Sequence, residues 1–75
     1  MPADYTRALS HRLPLARGPD VEAVQRRLDT RGFSPGPVDG LYGRTTEAAV
    51  REFQASQGLK VDGIVGPRTW SALFS

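Results

Sequence analysis

The sequence predicts an all-α protein, a small three-helix bundle with two similar turn–helix repeats. Three observations carry that prediction. A nine-residue pattern recurs after 23 residues, Val38-Asp39-Gly40-Leu41-Tyr42-Gly43-Arg44-Thr45-Thr46 and then Val61-Asp62-Gly63-Ile64-Val65-Gly66-Pro67-Arg68-Thr69. Apolar residues recur at helical spacing in three short stretches. Glycine stands at the start of each stretch and again past the end of the first two.

The first helix is expected over 19–31. Pro19 follows Gly18 and sits where a first-turn proline is tolerated, because its missing N–H would be unpaired anyway. Val21, Val24, Gln25 and Leu28 form its inward stripe. Gly18-Pro19-Asp20-Val21 also reads as a degenerate third copy of the repeat. Arg31-Gly32-Phe33 supplies a left-handed stop, with Phe33 expected to fold back on Leu28. Ser34-Pro35-Gly36-Pro37 is a stiff turn.

The second helix is expected over 44–57 and the third over 67–74. Asp39-Gly40 and Asp62-Gly63 are turn signals: Asp accepts from its own backbone two residues on, and Gly takes positive φ without steric cost. Leu41 and Ile64 are expected to point inward, and Gly43 and Gly66 to be N-caps. Thr46 and Thr69 fall at the third helical position, where a hydroxyl reaches the cap. Thr46, Ala49, Val50 and Phe53 make one stripe; Thr69, Trp70, Leu73 and Phe74 make the other. Gln57-Gly58-Leu59 repeats the glycine stop, with Leu59 expected on Phe53. Phe33, Val38, Leu41, Leu59, Val61, Ile64 and Val65 complete the expected core.

Residues 1–12 form a lead-in without clear period, partly flexible, and 13–75 form the domain. Leu9, Leu13 and Leu15 are candidates to pack along the bundle, and Met1 to Asp4 to fray.

Composition narrows the function. Seventy-five residues make one domain, whose core supplies about 3–5 kcal/mol net. There is no cysteine, hence neither disulfide nor thiolate chemistry, and one histidine, so a multi-histidine metal centre within the chain is excluded. No cofactor, metal or catalytic residue is expected. No apolar run is long enough for membrane insertion, and the N-terminus lacks the apolar region of a signal peptide. Ten basic against eight acidic residues give +2, and the pI is near 9.7. Glu22 precedes Arg26 by four residues and Glu47 precedes Arg51 likewise, so these charges neutralise one another on helix faces. A nucleic-acid partner is therefore not expected.

Three motifs in order then resemble a known family. They are G-x-D-V-x-x-V-Q-x-x-L (Gly18 to Leu28), V-D-G-x-x-G-x-x-T-x-x-A-V-x-x-F-Q (Val38 to Gln54) and G-L-x-V-D-G-I-V-G-x-x-T-W-x-x-L (Gly58 to Leu73). Residues 13–74 thus resemble the peptidoglycan-binding domain-like family, the three-helix module attached to many bacterial and phage wall hydrolases. The resemblance implies a non-catalytic module that holds a hydrolase or a particle on peptidoglycan, with a location at the cell wall, extracellular or on a particle. Matrix metalloproteinase propeptides share the fold but use a cysteine, absent here. The alternative reading is a structural or assembly protein using this fold for protein–protein contact, as in a phage particle.

Candidate ligand contacts are Tyr42, Arg44 and Thr45 on one side of a shallow groove beside the second helix, and Arg68 and Trp70 on another. Guanidinium groups and helix N-termini suit the carboxylates of a stem peptide, and aromatic rings suit sugar. Tyr42 stays open between packing and ligand contact, and Trp70 is mainly core. Asp39, Gly40, Gly43, Asp62, Gly63 and Gly66 are assigned to turns and caps. Gln25 and Gln54 adjoin the stripes, where their amides can satisfy loop backbone groups.

Overall fold

In a computed structural model, which describes residues 5, 7–11 and 16–75, the chain forms three helices. They are α1 (Pro19–Thr30), α2 (Arg44–Ser56) and α3 (Pro67–Leu73), with α1 packed against both others. Each ends one residue before the sequence-based boundary, because the stop residues Arg31, Gln57 and Phe74 act as C-caps.

The ends follow the expected chemistry. Gly18, Gly43 and Gly66 are the N-caps, and Pro19 and Pro67 open their helices. Both glycine stops are Schellman motifs. Phe33 N–H donates to Leu28 O at 2.9 Å and Gly32 N–H to Asp29 O at 3.1 Å; Leu59 and Gly58 repeat this on Gln54 and Ala55 at 2.9 and 3.2 Å. Positive φ at Gly32 (+88°) and Gly58 (+70°) makes those bonds possible. The Phe33 ring meets Phe53 edge-on, centroids 5.7 Å apart.

The stripes are the core. Val21, Val24, Leu28, Ala49, Val50, Phe53, Trp70 and Leu73 are buried together with Leu9, Tyr42 and Val65. Three expectations need correction. Tyr42 and Val65, not Leu41 and Ile64, point fully inward. The segments after the turns are extended, so inward positions alternate as Gly40 and Tyr42, then Gly63 and Val65, and leave Leu41 and Ile64 half-buried. Val61 lies on the surface, 45% exposed. Its neighbour Asp62 is drawn in by Gln54, which turns Val61 outward. Thr46 and Thr69 do not cap their helices, because their hydroxyls are taken by glutamines of the preceding helices.

The described part of the lead-in is integral to the fold. Leu9 is fully buried and forms an antiparallel bridge with Val65, through bonds of 3.1 and 2.8 Å. Arg17 and Leu41 form a second antiparallel bridge, flanked by bonds from Gly18 N–H to Gly40 O and from Tyr42 N–H to Ala16 O. Arg7 reaches Asp20 at the start of α1, Nε to Oδ2 at 2.8 Å, and that bond holds the Asp20 carboxyl below its ordinary pKa. Met1 to Asp4, Leu13 and Leu15 lie outside the described residues.

Candidate functional site

Two glutamine-centred knots build the surface on which a ligand site can form. Gln25 on α1 shares its Nε2 hydrogens among Asp39 Oδ1 (3.1 Å), Leu41 O (3.0 Å) and Thr46 Oγ1 (3.0 Å), and accepts from Gly40 N–H at 2.9 Å. Gln54 on α2 repeats this with Asp62 Oδ1 (2.9 Å), Ile64 O (3.0 Å) and Thr69 Oγ1 (3.1 Å). It also accepts from Asp62 N–H (3.1 Å) and Gly63 N–H (3.0 Å). Each knot ties one helix to the next turn and to the first turn of the next helix. Buried backbone groups of the turns, which no sheet or helix serves, are thereby paired.

The aspartates close their own turns. Asp39 Oδ1 accepts from Leu41 N–H and Asp62 Oδ1 from Ile64 N–H, both at 2.9 Å. These backbone donors are the largest cause; with the glutamine amides they outweigh the opposing effect of burial and hold both carboxyls below their ordinary pKa. Gly40 and Gly63 carry positive φ, +76° and +71°, as the turns require. Gly63 has a second reason: a Cβ there would lie 2.9 Å from Glu47 Cγ.

The expected ligand residues are scattered. Tyr42 is fully buried, and its hydroxyl donates to Gly63 O at 2.7 Å, linking the two repeats. Its ring is packed in the core and its hydroxyl is engaged by that bond. Burial, then the charges of Glu47 and Asp62, push its phenol well above the ordinary pKa. Trp70 is 5% exposed, against Phe74 (centroids 4.4 Å) and Tyr5 (6.0 Å). Arg44, Thr45 and Arg68 are exposed. The groove expected beside α2 is covered: Pro35 is buried, Pro35 O lies 3.4 Å from Thr46 Oγ1, and a Cβ on Gly36 would lie 2.7 Å from Thr45 Oγ1.

The equivalent space in the second repeat is open. A groove of about 500 Å³ is lined by Gly58, Leu59, Lys60, Asp62, Ile64, Gly66, Pro67, Arg68 and Thr69. A shallower depression shares Leu59, Pro67 and Arg68 with it. Connection length makes the difference. Asp39 lies 14 positions after Gln25, but Asp62 only 8 positions after Gln54. The first connection has chain to spare and folds over the start of α2; the second has none. Arg68 is thus the expected contact that the open groove contains. Lys60, Leu59, Ile64 and Thr69 were missed as groove residues. The unequal spacing of the repeats was the signal that could have found them.

Residues 17–73 match the profile of the family described as "Putative peptidoglycan binding domain". The chain belongs to the peptidoglycan-binding domain family. It is a peptidoglycan-binding domain, and that function implies association with the cell wall. It is 49% identical over 60 residues to a spore cortex-lytic enzyme of Bacillus subtilis (strain 168), a match covering 79% of this chain and 20% of that protein. It is 44% identical over 57 residues to the N-acetylmuramoyl-L-alanine amidase CwlM of Mycobacterium tuberculosis, covering 76% and 14%. The chain therefore spans a fifth or less of these two curated relatives. The crystal structure of the SleB N-terminal domain superposes with a TM-score of 0.86 at 39% identity, covering 95% of this chain and 93% of that one. The three-helix fold is that of this domain. No helix among the described residues is long and apolar enough to cross a membrane.

Proposed function

We propose that this peptidoglycan-binding domain is a non-catalytic anchor that takes the stem peptide of the wall polymer, with any adjoining sugar, in the open groove of the second repeat. The observation that carries the reading is the groove itself: the first repeat fills its counterpart and the second leaves it free. Its volume suits a few residues of peptide. Leu59, Ile64 and Pro67 line it with apolar surface, and Lys60 and Arg68 supply cationic donors. Stem-peptide carboxylates would meet those donors in charge-assisted hydrogen bonds. Asp62, held ionised by its turn, gives the groove one negative edge for an ammonium group.

The absence of cysteine rules out a Cys–His pair in the chain, which supports the non-catalytic reading. Anchoring of a wall hydrolase or a particle is part of the same proposal. A single shallow site binds weakly, so retention on the wall would come from the density of sites on the polymer.

Sedimentation with insoluble peptidoglycan sacculi tests the proposal. The intact chain is expected to be depleted from solution, and Arg68→Ala and Lys60→Ala to lose depletion while remaining folded. Arg44→Ala, on the covered repeat, is expected to behave as the parent. Depletion untouched by the first two exchanges would sink the groove. No depletion at low or high salt would turn the reading toward protein–protein assembly.

A further inference from the structure

The two repeats hold the same groove, one occupied by the chain and one vacant. In the first, the Thr46 hydroxyl accepts from Gln25 Nε2 at 3.0 Å and turns its own proton toward Pro35 O at 3.4 Å. Gly36 follows, packed on Thr45, with φ +81°. In the second, Thr69 stands where Thr46 stands and Arg68 where Thr45 stands. The Thr69 hydroxyl accepts from Gln54 Nε2 at 3.1 Å, and no described residue accepts its proton. Thr69 is 5% exposed and lines the vacant groove. A nearly buried hydroxyl with an unused proton beside an open groove is an unfilled donor.

We infer that the second groove binds a short peptide along the path that Pro35–Gly36 takes in the first, with a peptide carbonyl on Thr69 Oγ1, a D-residue at the Gly36 position and a free carboxylate on Arg68 or Lys60. The inference rests on the proposed function and narrows its ligand. Its stereochemistry follows from Gly36: a backbone at φ near +80° is costly for an L-residue and is the mirror-image ground state of a D-residue. An encoded chain meets that demand with glycine, whereas a wall peptide can meet it with a D-residue. The carboxylate follows from replacement of Thr45 by Arg68, with Lys60 on the same groove.

Amide-shift titration of the intact chain with N-acetyl-L-alanyl-D-alanine and its L,L diastereomer tests this. The L,D peptide is expected to bind roughly 5- to 30-fold more tightly, the range set by the cost of the left-handed conformation for an L-residue. Shifts should centre on residues 58–69, and C-terminal amidation should weaken binding. Thr69→Val should lower affinity about 10-fold, as loss of one hydrogen bond does, and Thr69→Ser should restore it. Thr46→Val breaks the equivalent knot bond in the other repeat and should leave affinity unchanged, which separates ligand contact from stability. Equal affinity for the diastereomers, indifference to Thr69→Val, or no shift at millimolar peptide would each overturn the inference. The sacculus assay on the same protein keeps the two readings apart. Depletion by sacculi with no chiral preference leaves the wall anchor and removes the D-residue site. Chiral, Thr69-dependent binding without depletion does the reverse.

Discussion

Replacing Gln54 with methionine keeps the volume of the side chain and deletes its five hydrogen bonds. Four partners sit near the surface or on the open groove and can turn to water. One cannot: Gly63 N–H is buried. A buried polar group left unpaired costs about 1–3 kcal/mol. The whole domain is expected to hold about 3–5 kcal/mol. Gln54→Met should therefore remove a large part of the stability at 25 °C. With an m-value of about 1 kcal/mol/M in urea for a domain this small, the transition should move down by about 1–3 M. Circular dichroism and Trp70 fluorescence against urea measure it. Gln25→Met should behave alike, since Gly40 N–H is buried on Gln25 in the same way. A loss below 1 kcal/mol for both variants, with native spectra, would refute the view that the knots hold the turns.

Other outcomes follow from the same geometry. Gly63→Ala should destabilise clearly more than Gly58→Ala in urea melts, because both sit near φ +70° but only the first brings a Cβ against Glu47 and Arg51. Leu9→Ala should cost about 2–5 kcal/mol in the same melts, as for a core leucine, despite its place outside the helices. Asp20, Asp39 and Asp62 have lowered carboxyl pKa values, so their contribution to stability is present above about pH 4 and is lost as pH falls through the folded values. Asp39→Asn with Asp62→Asn should flatten the acid limb of a stability–pH curve. Tyr42 has a raised phenol pKa, so its contribution is complete below about pH 10 and is lost as pH rises beyond. Tyr42→Phe should cost about 1 kcal/mol at neutral pH and show a shallower alkaline limb.

Most of the fold was legible because its signals are local. Val24 and Leu28 on one helix and Ala49 and Phe53 on the next are one turn apart, and Gly32 and Gly58 answer a local need for positive φ. The inward residue after each turn was misread, since the choice between Leu41 and Tyr42 depends on an extended segment whose register is set by bonding to Ala16 and Gly18. Thr46 and Thr69 looked like caps because helix position is local, whereas the glutamines that capture them are 21 and 15 residues away. The open groove was legible only in part for the same reason. Arg68 was named, but its companions Lys60 and Thr69 become neighbours only when the turn and the start of α3 pack together.

The sequence by itself determined the three helices, their ends, the repeat and the family, because backbone propensity, glycine stops and apolar periodicity act over a few residues. The unequal length of the two connections is also in the sequence; tertiary structure decided where that difference falls, closing one groove and leaving the other open. That choice depends on where the surplus chain of the first connection comes to rest, with Pro35 over Thr46 and Gly36 against Thr45. No local rule contains it: the two repeats present nearly the same residues, and what separates them is the path of a loop between helices already docked.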